Sequence, residues 1–413
     1  MSQIDDMAQE LAPHRVRYAA IGDVAEVSSG ATPASGRSDY WENGTIPWMN
    51  SGEVNLGTVY GTARKITQAG YDSCSTKLLP PNTVVMALAG QGKTRGLVAR
   101  TRIALCTNQS LAGILPNGSV DADFLFYFLQ TQYQNLRSIS SGDGTRGGLN
   151  LQMIRGYRIP VPPLDVQHEI VRVLDRFAEL ERALESALEA EIEARILQYA
   201  HYRDSLIASS RAGPVERIRM GDIGTFVRGR RFTKADVALN GVPSIHYGEI
   251  YTAYGVSTAT TVSKVRIELA GQLGYAQPGD VVIAGVGETV EDVGKAVAWL
   301  GDVPVAIHDD TFRYRSTLNP TYVSYFLQTA DFHRQKDRHV ARAKVKRLSA
   351  AGLAQIVIPV PPLVEQERIA SVLNDFHAAI TDLRVGLLAE LKTRRKQYEY
   401  FRDLLLTFEE ATV

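Results

Sequence analysis

The chain has 413 residues, 45% of them hydrophobic, so at roughly 150 residues per domain it can bury two or three cores. Its 45 basic and 45 acidic residues give zero formal net charge, which argues against binding nucleic acid by bulk charge alone. Only Cys74 and Cys106 are present, so no disulfide framework or structural zinc site is indicated, and a reducing, cytoplasmic setting is expected. The first ten residues carry acids and no apolar core, and no apolar run of about 18 residues occurs, so we expect a soluble chain without membrane association.

A tandem repeat organises the chain. The stretch IPVPPLDVQHEIVRVL begins at Ile159 and IPVPPLVEQERIASVL begins at Ile358, an offset of 358 − 159 = 199 residues. The same offset relates Gln198 to Gln397 near the far end of the repeat. The repeat predicts four segments in chain order: a first module over 1–158, a first spacer helix over 159–210, a second module over 211–357 and a second spacer helix over 358–413.

Each module is predicted to be mixed α/β. IGDVAEVSSG from Ile21 matches MGDIGTFVRG from Met220, and PPNTVVMALAG from Pro80 resembles QPGDVVIAGVG from Gln277. These short apolar runs, broken by Gly, Pro, Asn and Asp, are typical of strands and turns, with one helix near 124–132 and another near 322–328. The loops between the matching anchors are unlike, as in two modules that read two different things.

After each module comes a segment with the pattern of one long helix. From 164 to 207 and from 363 to 406, apolar residues recur every three or four positions, a single stripe on a helix roughly 66 Å long at about 1.5 Å per residue. Pro162 and Pro163, like Pro361 and Pro362, bar helix upstream and fix the start. We expect the two stripes to pair as a coiled coil; the alternative is that each helix docks on its own module. The predicted pairing residues are Ile170, Leu174, Phe177, Leu184, Leu188 and Tyr199 on the first helix and Ile369, Leu373, Phe376, Leu383, Leu387 and Tyr398 on the second.

Two motifs resemble those of nucleotide-binding and methyl-transferring proteins, but the residues around them do not fit these functions. ALAGQGKT from Ala87 fits a loose phosphate-loop pattern, yet the following RGLVARTRIAL has the composition of a strand, so we predict a hairpin turn. NPTY from Asn319 resembles a methyltransferase loop, but an ordinary turn before a helix is the better interpretation. No spacing of Ser, His and Asp marks a nucleophile, so we predict a chain without catalytic or metal-binding residues.

A set of sequence motifs, taken together in this order and in duplicate, is specific to one protein family. They are SSGATP from Ser28, IPW from Ile46, TNQSL from Thr107, HYGEIYTAYG from His246, IPVPPL with Gln167 or Gln366 close behind, and RRKQYEYFRDLLL from Arg394. Over nearly its whole length the chain resembles the specificity subunits of type I restriction-modification systems.

The resemblance implies the architecture and the partners. Each module would be a target recognition domain, and the two would be held apart by long antiparallel helices in a pseudo-twofold α/β chain. The subunit would be non-catalytic, would bind double-stranded DNA at a bipartite target, and would direct two methyltransferase subunits to it, with or without a motor-nuclease subunit. S-adenosylmethionine would be bound by the methyltransferase and no cofactor by this chain. Helix length would set the gap between half-sites.

Base reading requires polar side chains that reach the edges of base pairs, such as Arg to guanine and Asn or Gln to adenine. The strongest basic run is RQKDRHVARAKVKR, which includes Arg334 and Lys336; a solvated helix face is its alternative interpretation. DNA-contact candidates in the first module are Thr32, Arg37, Gln91, Lys93, Arg95, Asn108, Gln109 and Arg146. Those in the second module are Arg228, Arg230, Arg231, Lys234, His246, Tyr247, Arg338, Arg342, Lys344, Lys346 and Arg347.

Some assignments stay open at this point. Asn108 and Gln109 belong to a motif with an equally plausible structural role, and Tyr40, Trp41 and Trp48 fit aromatic core better than base stacking. Two rival functions remain: a bivalent coiled-coil scaffold that touches no DNA, and a nucleotide-hydrolysing enzyme built on Lys93.

Overall fold

The computed structural model describes residues 15–90, 94–140, 148–209 and 214–411. The chain divides into two compact units. The first comprises Met1–Ser186 and Ala389–Val413, and the second comprises Ala187–Leu388. Both boundaries fall inside the long helices, so each unit contains one mixed α/β module and a part of each long helix.

The first module is built on a five-stranded sheet. Its central strand, Val84–Ala87, is buried along its whole length, as expected for an apolar run without alternation. In sheet order the strands are Ala25–Ser29, Leu111–Pro116, Val84–Ala87, Val98–Thr101 and Thr58–Val59, antiparallel except for the last pair. A second sheet holds Arg64–Ile66, Ile46–Met49 and Cys106–Thr107. The short helices are Ile21–Val24, Gln68–Asp72, Ala122–Thr131, Tyr133–Ile139 and Leu151–Gly156, with 3-10 turns at Ser38–Tyr40 and Ser51–Leu56.

The second module repeats this plan. Its five-stranded sheet has the order Gly224–Arg228, Thr311–Ser316, Val281–Ala284, Ala296–Trp299 and Ser257–Thr258. A four-stranded sheet contains Ser263–Val265, Val237–Ile245, Val305–Ile307 and Gly274–Ala276. A further small sheet, Val286–Gly287, Lys346–Leu348 and Val340–Arg342, has no counterpart among the described residues of the first module. The helices are Met220–Ile223, Tyr247–Thr252, Pro320–Phe326, Ala330–Lys336 and Ala350–Ala354, with 3-10 turns at Lys234–Asp236 and Ile267–Gln272.

In each module the first strand pairs with the strand that directly precedes a long helix. In the first module Arg15–Ala20 lies antiparallel to Arg158–Val161 and parallel to Glu409–Glu410 from the end of the chain. In the second module Glu216–Arg219 lies antiparallel to Val357–Val360. The proline pairs follow directly, and the long helices then run over Leu164–Ala208 and Leu363–Leu405, which confirms the predicted helices.

The two long helices are antiparallel within each unit. In the first unit Phe177 stacks on Phe401 with ring centroids 6.2 Å apart, and Arg395 pairs with Glu185 at 2.8 Å. In the second unit Tyr202 stacks on Phe376 with centroids 5.6 Å apart. The two aromatic pairs are equivalent under the repeat, since 376 − 177 = 199 and 401 − 202 = 199. No described helix is long and apolar enough to cross a membrane.

The predicted pairing residues divide into two sets. Ile170 and Leu174 are fully buried in the core of the first module, together with Leu405 and Leu406 from the end of the second long helix. Ile369 and Leu373 are buried in the core of the second module, which also contains Ile207. The first turns of each helix therefore dock on their own module, as the alternative interpretation had it, and share that core with the opposite helix. The rest of the set is partly buried or more exposed: Phe177, Leu184, Leu188, Tyr199, Phe376, Leu383, Leu387 and Tyr398.

Candidate nucleic-acid interface

Two parallel strands of the first module end side by side, and each is followed by an asparagine. Met49 lies opposite Thr107 in the parallel pair, so Asn50 and Asn108 leave the sheet together. The Asn50 side-chain oxygen accepts the Gly52 N–H at 2.8 Å, and that of Asn108 accepts the Ser110 N–H at 3.1 Å. Both asparagines thus fix the backbone turn that follows a strand. We call Asn50 and Asn108, with their counterparts in the second module, the strand-end caps.

In the second module the strand-end caps are His246 and His308. Ile245 lies opposite Ile307 in a parallel pair, which makes His246 the counterpart of Asn50 and His308 that of Asn108. His246 Nδ1 accepts the Gly248 N–H at 3.2 Å and His308 Nδ1 accepts the Asp310 N–H at 3.1 Å. The two rings lie 4.4 Å apart. Burial, with His308 nearby, lowers the pKa of His246 to about 4, so the ring is neutral at physiological pH.

A glycine brings the preceding loop against each pair of strand ends. A Cβ on Gly30 would lie 1.8 Å from the Thr107 carbonyl oxygen, and one on Gly229 would lie 2.4 Å from the Ile307 carbonyl oxygen. Only glycine permits this approach. We call the two segments that contain these glycines, SSGATP over 28–33 and VRGRRFTK over 227–234, the glycine loops; each lies against the strand ends at its glycine.

The first-module candidates have different surroundings. Thr32 donates its hydroxyl hydrogen to the Gln109 side-chain oxygen, which joins the glycine loop to the residue after Asn108. Arg37 is exposed and forms a two-pronged pair with Asp39 at 2.9 and 2.7 Å. Arg95 is only 9% exposed, and its contact with DNA stays a prediction. Gln91, Lys93 and Arg146 lie outside the described residues.

The aromatic residues of this region are structural. Trp48 is buried and donates its indole N–H to the Ala31 carbonyl at 3.0 Å. Trp41 packs edge-on against it at 5.0 Å, with the Arg64 guanidinium 3.7 Å above the Trp41 ring. This agrees with the aromatic-core interpretation for both tryptophans. The guanidinium carbon of Arg37 lies 4.9 Å from the centroid of the Tyr40 ring.

In the second module, two aspartates hold two of the candidate arginines. Arg228 donates to the Asp309 carbonyl and lies 3.9 Å from the Asp310 carboxylate, while Arg347 lies 3.5 Å from the same carboxylate. These residues line a cavity of about 410 Å³ together with Phe312 and His339. His308, Asp309 and Asp310 place potential metal-ligand atoms within 4.8 Å of one another. Because both arginines neutralise these carboxylates and His308 Nδ1 already accepts an N–H, we assign the cluster to holding the arginines.

The basic run forms a helix end followed by a β-hairpin. The helix Ala330–Lys336 ends the first part, and Val340–Arg342 pairs with Lys346–Leu348 in the second, so a single solvated helix face is wrong. Lys336 is fully buried and donates to the Val293 and Glu291 carbonyls at 2.6 and 3.1 Å, so it is a core residue and not a DNA contact. The exposed or partly exposed basic candidates are Arg338, Arg342, Lys344, Lys346 and Arg347 on this segment and Arg228, Arg230, Arg231 and Lys234 on the glycine loop. Tyr247 contacts His246, with the two ring centroids 4.4 Å apart.

The two rejected motifs have the structures expected of them. Residues 91–93 of the phosphate-loop pattern lie outside the described residues; after them the strand Val98–Thr101 returns antiparallel to Val84–Ala87, so the described residues that follow the pattern form a strand and not a helix. Asn319 caps the helix Pro320–Phe326 by accepting the Tyr322 N–H at 3.0 Å, as expected of an ordinary turn before a helix.

Sequence reasoning missed Asn50, His308, Asp309 and Asp310. Their signal was present in the repeat, because each occupies the place that follows a repeated strand. The parallel pairing that brings His246 and His308 together joins residues far apart in the chain, and it is not visible from either strand alone.

Comparison with known proteins points to the family that the sequence motifs resemble. The model of the type I restriction modification DNA specificity domain matches residues 13–194 and 213–393. The specificity subunit of the EcoR124I/EcoR124II type I restriction enzyme of Escherichia coli is 26% identical over 195 residues, which are 47% of this chain and 48% of that protein. A putative type I restriction enzyme specificity subunit of Haemophilus influenzae is 30% identical over 292 residues, 69% of this chain and 72% of that protein.

Solved structures show the same fold. A chain from a structure of type I R-M system assembly and conformational transition has a TM-score of 0.72 at 16% identity, covering 95% of this chain and 98% of that one. The HsdS subunit from Thermoanaerobacter tengcongensis has a TM-score of 0.59 at 17% identity, covering 96% and 97%. The match to the family model confirms the family expected from the sequence motifs. This chain belongs to the family of type I restriction modification DNA specificity domains, and it carries two copies of the domain.

Proposed function

We propose that this chain is the DNA specificity subunit of a type I restriction-modification complex. The observation that carries the proposal is the pair of strand-end caps on a repeated frame. Asn50 and Asn108 in one module are replaced by His246 and His308 in the other, while the backbone turns they fix are the same. A frame kept constant under different polar side chains suits two readers of two different half-sites.

The basic residues supply the contacts that position DNA. Arg342, Lys344 and Arg347 lie exposed on the hairpin of the second module, and Arg228, Arg230, Arg231 and Lys234 lie exposed on its glycine loop. Such side chains neutralise phosphates and fix the register of the protein on the duplex, while the polar groups between them read bases. This local enrichment explains how a chain of zero net charge can bind DNA.

Catalysis would belong to partners. In this proposal two methyltransferase subunits bind S-adenosylmethionine and modify the DNA, with or without a motor-nuclease subunit, and this chain selects the site. Joining two readers in one chain makes the second contact intramolecular, which raises affinity only when both half-sites are present at the correct gap.

The direct test is the methylation pattern of host DNA with the gene intact and deleted. We expect deletion to remove methylation from one two-part motif with an unread gap. Binding by the assembled complex should weaken when Arg342, Lys344 and Arg347 are all replaced by Ala, and the salt slope should fall by about one for each phosphate that is no longer neutralised.

The matched control exchanges each of these residues for the other basic type, as Arg342→Lys, Lys344→Arg and Arg347→Lys. It preserves charge, so the salt slope should stay close to that of the wild type. If the alanine variant binds DNA like the wild type, the hairpin makes no contact; if the deletion leaves all methylation intact as well, the coiled-coil scaffold becomes the better assignment.

A further inference from the structure

The strand-end caps differ in what they leave free for a ligand. In each cap one side-chain atom accepts a backbone N–H, Oδ1 in asparagine and Nδ1 in histidine. The remaining polar group of a neutral histidine whose Nδ1 is an acceptor is Nε2–H, a donor. The backbone turn therefore fixes the tautomer of both His246 and His308.

The two histidines differ in the use of this donor. His308 Nε2 lies 3.3 Å from the carboxylate of its own neighbour Asp309. His246 Nε2 has no hydrogen-bond partner among the residues that the structure describes, although the ring is half-buried. His308 Nε2 thus lies beside a carboxylate of the protein, whereas His246 Nε2 is left for an acceptor from outside.

The orientation of His246 is fixed from several sides. Its backbone N–H donates to the Glu249 carboxylate at 2.9 Å, which completes a capping box at the start of the helix Tyr247–Thr252. Tyr247 lies 4.4 Å from the ring and Phe232 lies 6.2 Å from it. A donor held on a rigid turn at the end of a sheet loses little side-chain entropy when it binds.

Charged groups of both signs surround His246. His308 connects His246 to Asp309 and Asp310, which hold Arg228 and Arg347 at the cavity of the second module. Gly229, which precedes Arg230 and Arg231 in the glycine loop, packs on the carbonyl oxygens of Ile307 and His308. The uncharged donor of His246 therefore lies in a region that also carries basic side chains, as base-reading groups lie among phosphate contacts.

We propose that His246 reads one purine of the half-site bound by the second module, by donating Nε2–H to the purine N7 in the major groove. This inference rests on the proposed function. Purine N7 is an acceptor in both adenine and guanine, and a lone donor suits it, whereas two-pronged recognition of guanine O6 and N7 requires Arg or Lys. His246 would therefore distinguish purine from pyrimidine at one position, and neighbouring side chains would decide which purine.

The test uses the complex of this chain with its methyltransferase subunits and a duplex carrying the methylated motif. Each purine of the second module's half-site is replaced in turn by its 7-deaza analogue, which lacks the N7 acceptor. We expect one position at which the analogue weakens wild-type binding about tenfold, as for the removal of one hydrogen bond to a base.

The coupling to His246 is measured with His246→Asn, which keeps the cap because Asn50 serves that role in the first module. The amide of this Asn offers no spare donor, because Asn50 Nδ2 donates to Glu53 at 2.7 Å and Glu249 is the counterpart of Glu53. In this variant the sensitive analogue should cause no further decrease in affinity, and the half-site read by the first module should be unchanged. The matched control is His201→Asn, exposed on the first long helix, which should retain the full analogue effect.

Each outcome decides the question. If no position is sensitive in the wild type, or if the sensitive position stays equally sensitive in His246→Asn, then His246 does not read N7. If His246→Asn loses binding to every duplex and also unfolds at lower temperature than the control, the residue is a structural cap alone and the inference fails. A wild-type complex with no preference for any two-part site would instead refute the proposed function itself.

Discussion

Gln167 and Gln366 occupy the same place in the two repeats, in the first turn of each long helix. The Gln167 side-chain oxygen accepts the Asp121 N–H at 2.7 Å, and its amide donates to the Pro162 carbonyl at 2.7 Å. Gln366 makes the same pair of bonds, to the Asn319 N–H at 2.9 Å and the Pro361 carbonyl at 2.8 Å. The family motif IPVPPL followed by Gln thus joins the helix start to the cap of a module helix.

Replacing Gln366 by Ala should therefore destabilise the second unit. The Asn319 N–H and the Pro361 carbonyl would lose their buried partner, which costs roughly 1–3 kcal/mol in the free energy of unfolding. Chemical denaturation of the purified chain measures the change. The matched control is Gln397→Ala, exposed farther along the same helix, which should stay within about 0.5 kcal/mol of the wild type. Equal effects of the two substitutions would contradict the assigned role.

At the scale of elements, the first module attaches its sheet to the first long helix through a charged network that has no counterpart among the described residues of the second module. Arg100, on the strand Val98–Thr101, pairs with Asp175 of the long helix at 2.8 Å and with Asp123 at 3.0 Å. The Tyr127 hydroxyl donates to Asp175 at 2.6 Å. Burial alone would raise the pKa of Asp175, but the hydrogen bonds from Tyr127 and Arg100 hold it below its ordinary value.

The repeat shows which residues depend on one another in this network. Arg100 lies opposite Thr58, and its counterpart Ala298 lies opposite Ser257 in the equivalent strand pair. The counterpart of Asp175 is Asn374, which accepts a hydrogen bond from the Tyr325 hydroxyl at 2.8 Å. The charged pair of the first module is therefore replaced by a neutral pair in the second.

Asp175→Asn should accordingly destabilise the first unit, because buried Arg100 loses one of its two carboxylates. The expected decrease is roughly 1–3 kcal/mol in the free energy of unfolding. The double variant Arg100→Ala with Asp175→Asn copies the second module, and it should be less unstable than the sum of the two single variants. Thermal and denaturant unfolding of all four proteins form the cycle. Strict additivity would show that the two side chains do not depend on each other.

Elements differed in how well the sequence predicted them. The long helices were predictable because their stripe extends over many turns and proline pairs fix both starts. The basic hairpin was not, because charged residues fit a helix face or a strand equally well and Lys336 carries no sign of its burial. The strand-end caps required the pairing of His246 beside His308, which only the folded sheet supplies.

At the scale of the whole molecule, zero net charge gave the scaffold hypothesis some support. The structure shows why that balance says little. Arg395 pairs with Glu181 and Glu185 between the helices, and Arg315 pairs with Asp280 inside a module, so many charges serve internal pairs. The charges that matter for DNA are those on the hairpin and the glycine loop, where Arg228 and Arg347 share Asp310, and composition alone does not locate them.

In the proposed function, the length of the long helices determines the gap between the two half-sites. The two compact units divide between Ser186 and Ala187 on one helix and between Leu388 and Ala389 on the other. Inserting seven residues at both places keeps the apolar stripe in phase to within about 20°, and it lengthens each helix by about 10.5 Å at 1.5 Å per residue. If helix length sets the gap between half-sites, the methylated motif should gain about three unread base pairs, at about 3.4 Å each, and keep the same bases in both half-sites.

The control is the same insertion in one helix only. An insertion in one helix alone shifts part of that helix along the facing helix. The contact of Phe177 with Phe401 and that of Tyr202 with Phe376 then cannot form at the same time. We therefore expect loss of methylation and not a new gap. Sequencing of methylated DNA from hosts that carry each variant measures both results. A matched insertion that methylates with the original gap would show that the helices do not set the spacing, and that each module finds its half-site by another constraint.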